Sequence, residues 1–416
     1  MAELSADTIR KMGGQADLYR VPGGSPVMLG RFDSDPRHPT VTVYNHMDVQ
    51  PASKETEPWK SEPFTFTREG DTYFGRGTTD DKGPGLTALF GARAAIDAGV
   101  PVNIRFLWET EEEVGSPNFE ATLKQIGAAA KTDVVVVSDT VWVSRSRPSL
   151  SAGLRGLQRL IFKLETAETD QHSGTTGGVA RNPIAELAQL SAEIFDARTG
   201  RVKIPGFYDD VAKLSKKEIA DFKAAGFSVK KFIQDHGFKS IRTKDPLEVM
   251  KRLWAMPTFE IHGLVGGYTG PGVKTIVPPR AELKATVRLV PDMKGAKVAQ
   301  LVKAFVKKRN PDVTVEIGSS APAFKGKITG PFVEAAQRAV KFAFGKEPVF
   351  VREGGTIGAV LSMEQLLGVP IVFMGLSLPE HGYHAPNENY DWGQAGGGIV
   401  AFAKFFEEAS RLGPAR

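Results

Sequence analysis

The 416-residue chain contains no cysteine, which excludes disulfides, thiolate zinc sites, iron–sulfur ligation and a cysteine nucleophile together. Any metal must be held by histidine, aspartate and glutamate, with only 7 histidines to draw on. No stretch approaches the ~20 apolar residues of a membrane span. The N-terminal MAELSADTIRKMGGQADLYRVPGG also lacks the apolar core of a secretion signal. A cytoplasmic protein with no membrane partner is the expectation. An excess of one charge is missing too: 53 Lys and Arg against 48 Asp and Glu leave only +5. The basic residues are mostly dispersed and no aromatic-basic platform accompanies them, so nucleic acid is not an expected partner.

What is present is globular, with 41% hydrophobic, 9% aromatic and 24% charged residues, in a length that suits about two to four domains. Short apolar runs at Thr40 to Tyr44, Val102 to Trp108 and Asp133 to Val137 read as buried strands. A helix is expected from Lys82 to Ala98, with Leu86, Leu89, Phe90 and Ile96 on its apolar face. Strand and helix alternate, which predicts an α/β layer. From about Ser151 the texture changes to one alternating strand (GLRGLQRLIFKLETAE), followed by a helix Pro183 to Phe195 and a Lys-rich stretch, 203–245, expected to form surface helices inserted there. Strands Thr258 to Ile261 and Ala281 to Val290 and a helix Val298 to Lys308 complete this middle part. After Ser319 the α/β texture returns, with helices Phe332 to Phe344 and Ala395 to Ser410 around a strand Val369 to Met374. The first part is expected to close with the last, leaving the middle as an insert.

Acids and imidazoles gather at the predicted strand ends, where α/β folds place their ligands. His46 and Asp48 are two apart in extended backbone and share a face; a surface ion pair is the alternative. Asp80 and Asp81 stand together at a helix start, where either could simply cap it. Glu109, Glu111, Glu112 and Glu113 close an apolar strand, although such runs are usually solvated. Asp139 ends a third strand, and His384 follows the strand near the C-terminus. Two imidazoles and at least three carboxylates suit a pair of Zn²⁺, Mn²⁺ or Co²⁺ ions bridged by a carboxylate and a hydroxide.

Taken in order, HMDVQP, GRGTTDDKGP, ETEEEVGS, VVVSDT, DQHSGTTGG, KTIVP, VRLVP, REGGTIG and HAPNE resemble the M20 family of dinuclear metallopeptidases. Within it they resemble the carnosinase and cytosolic nonspecific dipeptidase branch. The resemblance covers nearly the whole chain. It implies an α/β fold: a mixed-sheet catalytic domain from residues 1–150 and 319–416, with an inserted α+β lid and dimerisation domain at 151–318. It implies two metal ions, zinc first and manganese or cobalt next. His46 and Asp139 would hold one, Glu113 and His384 the other, and Asp80 would bridge them. Glu112 would be the general base and Asp48 would orient His46. His172 would reach the partner subunit's site in a homodimer and stabilise the oxyanion. Thr275 and Arg288 would bind the substrate's backbone and carboxylate, Arg288 through its bidentate fork, with Thr356 in the loop that contacts the substrate.

This chain carries Thr356 where the branch has serine and Gly358 where it has proline. Fewer residues precede His46 than in relatives, which usually have a further N-terminal helix, so that helix is expected to be absent or displaced. The implied activity is hydrolysis of dipeptides or short peptides. An N-acyl-amino-acid deacylase on the same site and a catalytically silent binding protein are the alternatives.

Overall fold

The computed structural model describes residues 1–414. A six-stranded sheet runs in the order Gln15–Tyr19, Val27–Phe32, Asn103–Glu109, Thr40–His46, Val134–Val137, Ile371–Phe373. The last four strands are parallel to one another and the first two are antiparallel additions, so the sheet is mixed. Helices cover both faces, which explains the uninterrupted VVVV run. Val134 and Val136 pack with Leu89, Ala92, Phe402 and Phe405 on one face. Val135 and Val137 pack with Phe119, Leu123, Val360 and Met363 on the other.

The helix Lys82–Asp97 buries Ala88, Leu89, Ala92 and Ala95 against the sheet. Leu86 and Phe90, expected on that buried face, are instead exposed, four residues apart on the outer side. Small residues take the sheet contact because the helix lies close to its neighbour: a Cβ on Gly91 would stand 2.6 Å from Phe402 Cβ.

The single alternating strand expected after Ser151 is two strands in different sheets. Ser149–Leu154 lies between Phe324–Lys325 and Val349–Glu353. Gly156–Glu165 belongs to a four-stranded antiparallel sheet, ordered Thr258–Gly266, Arg280–Leu289, Gly156–Glu165, Thr314–Ala321. The change of sheet occurs at Arg155, and Gly156 is needed there because a Cβ would stand 2.4 Å from the Ala321 carbonyl. Helices Pro183–Ile194 and Gly295–Arg309 cover one face of that sheet through Leu187, Leu190, Val298 and Val302.

The 203–245 stretch is also different from its expected form. Phe222 and Ala225, with Met250 and Trp254, pack on Val349 and Val351 of the C-terminal part, so these helices join the strand Val349–Glu353 rather than lie free on the surface. The chain opens on a helix, Ala2–Lys11, and a hairpin that the sequence analysis does not anticipate.

The last helix, Trp392–Ser410, starts three residues before its expected position because Asp391 caps it, accepting from Gln394 N at 3.1 Å. The other Asp391 oxygen accepts from Arg145 Nη2 and His381 Nε2, each at 2.8 Å. Partial burial works against ionisation of this carboxyl, but those bonds hold it well below its ordinary value of 3.8. Its contribution is therefore complete above the unfolded-state value and is lost as pH falls through the lower folded-state one. Asp391→Ala should lower the unfolding free energy at neutral pH by about 1–3 kcal/mol, with the gap to wild type narrowing in acid, as read by denaturant titrations at pH 7 and pH 3.

Candidate active site

The carboxyl ends of the parallel strands deliver most of the site. His46 ends its strand, Glu109 ends the neighbour, and Asp139 lies two residues beyond the third. Glu112 and Glu113 sit in the short turn Glu112–Val114, and Asp80 and Asp81 in the turn before Lys82–Asp97. His384 comes from the loop after the last parallel strand, with φ at 55°. Asp81 stands at the helix cap position without capping it. Its carboxylate instead accepts from Asn45 Nδ2 at 2.8 Å and more weakly from His46 N at 3.4 Å.

The five expected ligand residues meet. Asp80 lies between the imidazoles: Oδ1 is 2.9 Å from His46 Nε2 and Oδ2 is 3.0 Å from His384 Nε2. Asp139 Oδ2 is 3.9 Å from His46 Nε2, and Glu113 Oε2 is 3.2 Å from His384 Nε2. One imidazole with one carboxylate thus stands on each side of Asp80. His46 Nδ1 is 3.1 Å from the Asp48 carbonyl oxygen and 3.4 Å from its carboxylate, a contact that favours a proton on Nδ1 and fixes the ring with Nε2 on the side of Asp80. The Asp48 carboxylate also accepts from the N–H groups of Glu112 and Glu113 at 3.2 and 3.0 Å, tying that turn to His46.

Burial and neighbouring acids raise several of these carboxyls, whereas, despite burial, the imidazoles lower Asp48 and Asp80. Burial, then the Asp139 charge, pushes the Glu112 carboxyl up to about 9. Burial brings Asp139 up to about 6, with His46 opposing. Burial works against a charged His46, yet hydrogen bonds to Asp48 and Asp80 hold its imidazolium well above the usual range. The Asp80 and Glu113 carboxylates push His384 up to about 10. Asp80 Oδ2 is also buried without a hydrogen bond. Donor sets within 4.8 Å of one another include His46, Asp80 and Glu113, and also His46, Glu112 and Asp139. The residues therefore fit divalent cations bound by nitrogen and oxygen. The second set brings Glu112 as close to His46 and Asp139 as a ligand would be.

The other expected residues fall into two pairs. Arg288 Nη1 donates to Thr356 Oγ1 at 3.3 Å, and Thr356 donates to the Arg155 carbonyl. Their loop lies flush against the acidic turn, since a Cβ on Gly358 would stand 2.8 Å from the Gly115 carbonyl. That close approach explains glycine at 358. Arg155, which the sequence analysis does not single out, is mostly enclosed; burial and then Arg288 bring it down to about 10. His172 and Thr275 are neighbours elsewhere, through the strand pairing His172↔Ile276 and a bond from Ser173 N to Thr275 O at 3.0 Å. The His172 ring is exposed and its Nδ1 accepts from Gly174 N at 3.0 Å. Among the described residues it makes no hydrogen bond or ion pair with the acid cluster.

Several supporting residues escape sequence reasoning. Gln50 holds both Glu113 oxygens, through its N–H at 3.1 Å and its side-chain amide at 2.7 Å. Tyr383 donates to Asp139 Oδ1 at 3.0 Å. Glu109 is buried, accepts from Tyr44 and Ser116, and is pushed up to about 7 by burial. Gln50 and Glu109 lie inside two of the quoted motifs and Tyr383 immediately before a third, but nothing in the spacing marks these roles.

The sequence pattern of Peptidase family M20/M25/M40 matches residues 42–408, and the chain belongs to this family. The human Beta-Ala-His dipeptidase is 31% identical over 99% of this chain and 85% of its own length. The Cys-Gly metallodipeptidase DUG1 of Candida albicans is 33% identical over 88% of this chain and 78% of its own. The crystal structure of an M20 family metallo-carboxypeptidase, Sso-CP2 from Sulfolobus solfataricus, superposes with a TM-score of 0.89 at 30% identity, covering 99% of this chain and 94% of that one.

Tyr383→Phe removes the hydroxyl that orients Asp139 and changes little else. Divalent-cation affinity should fall by about 10–100-fold, measured by chelator competition, with the thermal transition nearly unmoved; unaltered affinity would show that Asp139 needs no such support.

Proposed function

We propose that this chain is a metal-dependent dipeptidase that acts through two divalent cations. The observation that carries the reading is Asp80, whose two oxygens face two different imidazoles, each with its own second carboxylate. His46 and Asp139 would hold one cation and Glu113 and His384 the other, with Asp80 serving both. Zinc is the first candidate, with manganese and cobalt served by the same donors. Paired cations, when bound, acidify water and polarise an amide carbonyl.

The chain's own residues supply the rest. Glu112 is not needed to complete either ligand pair. It takes the proton from the attacking water and returns it to the leaving amine. Arg288, half-buried and making no hydrogen bond to a carboxylate among the described residues, binds the free C-terminal carboxylate of the substrate. Thr356 fixes the Arg288 fork. The relatives named as dipeptidases support this substrate class, and the absence of cysteine suits a reducing cytoplasm. No helix among the described residues is long and apolar enough to cross a membrane.

The middle segment, 151–318, acts in this reading as a lid and as the contact between two copies. Exposed His172 beside Thr275, with no bond to its own chain's cluster, is what a residue serving the partner's site requires. There it donates to the oxyanion while Thr275 holds the substrate backbone.

A hydrolysis screen tests the activity, with β-alanyl, cysteinyl-glycine and α-dipeptides, longer peptides and N-acyl amino acids, each under Zn²⁺, Mn²⁺ and Co²⁺. Dipeptides should turn over fastest, and a preference for N-acyl amino acids would overturn the assignment. Metal-reconstituted protein should hold two equivalents and lose most of both in Asp80→Ala. Glu112→Gln should retain both and lower kcat by about 10²–10⁴-fold; if it loses metal instead, Glu112 is a ligand.

Subunit mixing tests the shared site. His172→Ala and Glu112→Gln should each be nearly inactive alone. When their subunits are exchanged, the site of the His172→Ala chain keeps Glu112 and receives His172 from its partner, so activity should return. Verified exchange without recovery refutes the shared arrangement.

A further inference from the structure

We propose that Glu388 is the positioning residue for Asp80, locking the two halves of the site into one unit; the proposal rests on the two-cation reading above. Glu388 is fully buried and lies four residues beyond His384. Every polar contact of its carboxylate runs to the other half of the site, more than 300 residues away in sequence. Oε1 accepts from Thr79 N at 2.9 Å and Asp80 N at 3.0 Å. Oε2 accepts from Gly77 N at 3.0 Å and from Arg76 Nη1 at 2.8 Å. Its carbonyl also accepts from Gly75 N at 3.0 Å. One residue therefore satisfies the backbone donors of most of the Gly75–Asp80 turn, including the N–H of Asp80 itself.

A carboxylate is required for this task. Three converging N–H groups present only positive ends, and an ionised acid accepts from all of them at once. An amide would turn its NH₂ toward one of them and leave a buried donor unpaired. The ion pair to Arg76, whose side chain and that of Glu388 are 2% and 0% exposed, supplies the countercharge. Arg76 is held in turn over the Trp59 ring at 5.1 Å.

The consequence falls on Asp80. Its side chain has to serve His46 on one oxygen and His384 on the other, which restricts where its backbone can sit. Glu388 fixes that backbone from the same segment that carries His384. Displacement of either half thus moves the other, and two cations are bound as a pair.

The test uses full-length protein, with Co²⁺ as the probe, read by chelator competition and by its visible d–d absorption. Glu388→Gln should weaken Co²⁺ binding about 10–100-fold and alter the absorption bands. It should also lower kcat more than it changes KM, with turnover recovering in excess metal. Glu388→Asp keeps the charge but sets the carboxylate back by one methylene, so it should show the same changes in smaller measure; it decides the matter if Glu388→Gln does not fold. Wild type binding two equivalents beside a folded variant with unaltered affinity and spectrum overturns the clamp alone. Wild type binding fewer than two removes the two-cation reading and the clamp with it.

Discussion

Carboxylates crowded at one end of a parallel sheet are the constraint around which the molecule is arranged. Asp80, Asp81, Glu109 and Asp139 are buried, with Glu112 and Glu113 beside them. Buried like charges repel, and each must keep a proton, find a cation or accept several donors. Glu109 accepts two hydroxyls, Asp81 an amide and Asp48 two backbone N–H groups, while Asp80 faces two imidazoles. Asp80 Oδ2, Asp81 Oδ1 and Glu109 Oε2 are left without a hydrogen-bond partner among the described residues.

Much of this was legible because strand ends are legible. TVTVY, NIRFLW and VVVV are apolar without interruption, and such runs belong to parallel strands covered on both faces, with ligands at their carboxyl ends. His46, Glu112, Glu113 and Asp139 follow those runs directly, so their convergence needed only the assumption of one sheet. His384 was harder, since a long loop separates it from its strand, and only its motif marked it.

Other features obey rules that local pattern does not express. Leu86 and Phe90 look like a buried stripe because helical periodicity says which residues share a face, not which face meets the core. The split at Arg155 was hidden because alternation continues through it while the partner strands change. Gln50, Tyr383 and Glu388 are polar residues whose importance lies wholly in what they touch. His172 and Thr275 come together because their short strands pair, and a sequence cannot announce a pairing of two residues with two.

The crossing at Arg155 has a bearing on how such a chain can be built. The chain leaves the Ser149–Leu154 strand for the middle sheet, and returns from that sheet into Phe324–Lys325, which pairs antiparallel with the very strand it left, Phe324 opposite Leu154. Exit and re-entry are thus cross-strand neighbours about 5 Å apart, the spacing a two-residue hairpin turn closes. The interruption is a plug in a socket: a turn from Leu154 to Phe324 would restore a continuous hairpin beneath it. The part left behind would miss the helices resting on Val349 and Val351 and the bonds that Thr356 makes with Arg288 and Arg155, so the middle segment is separable along the chain yet interlocked through its side chains.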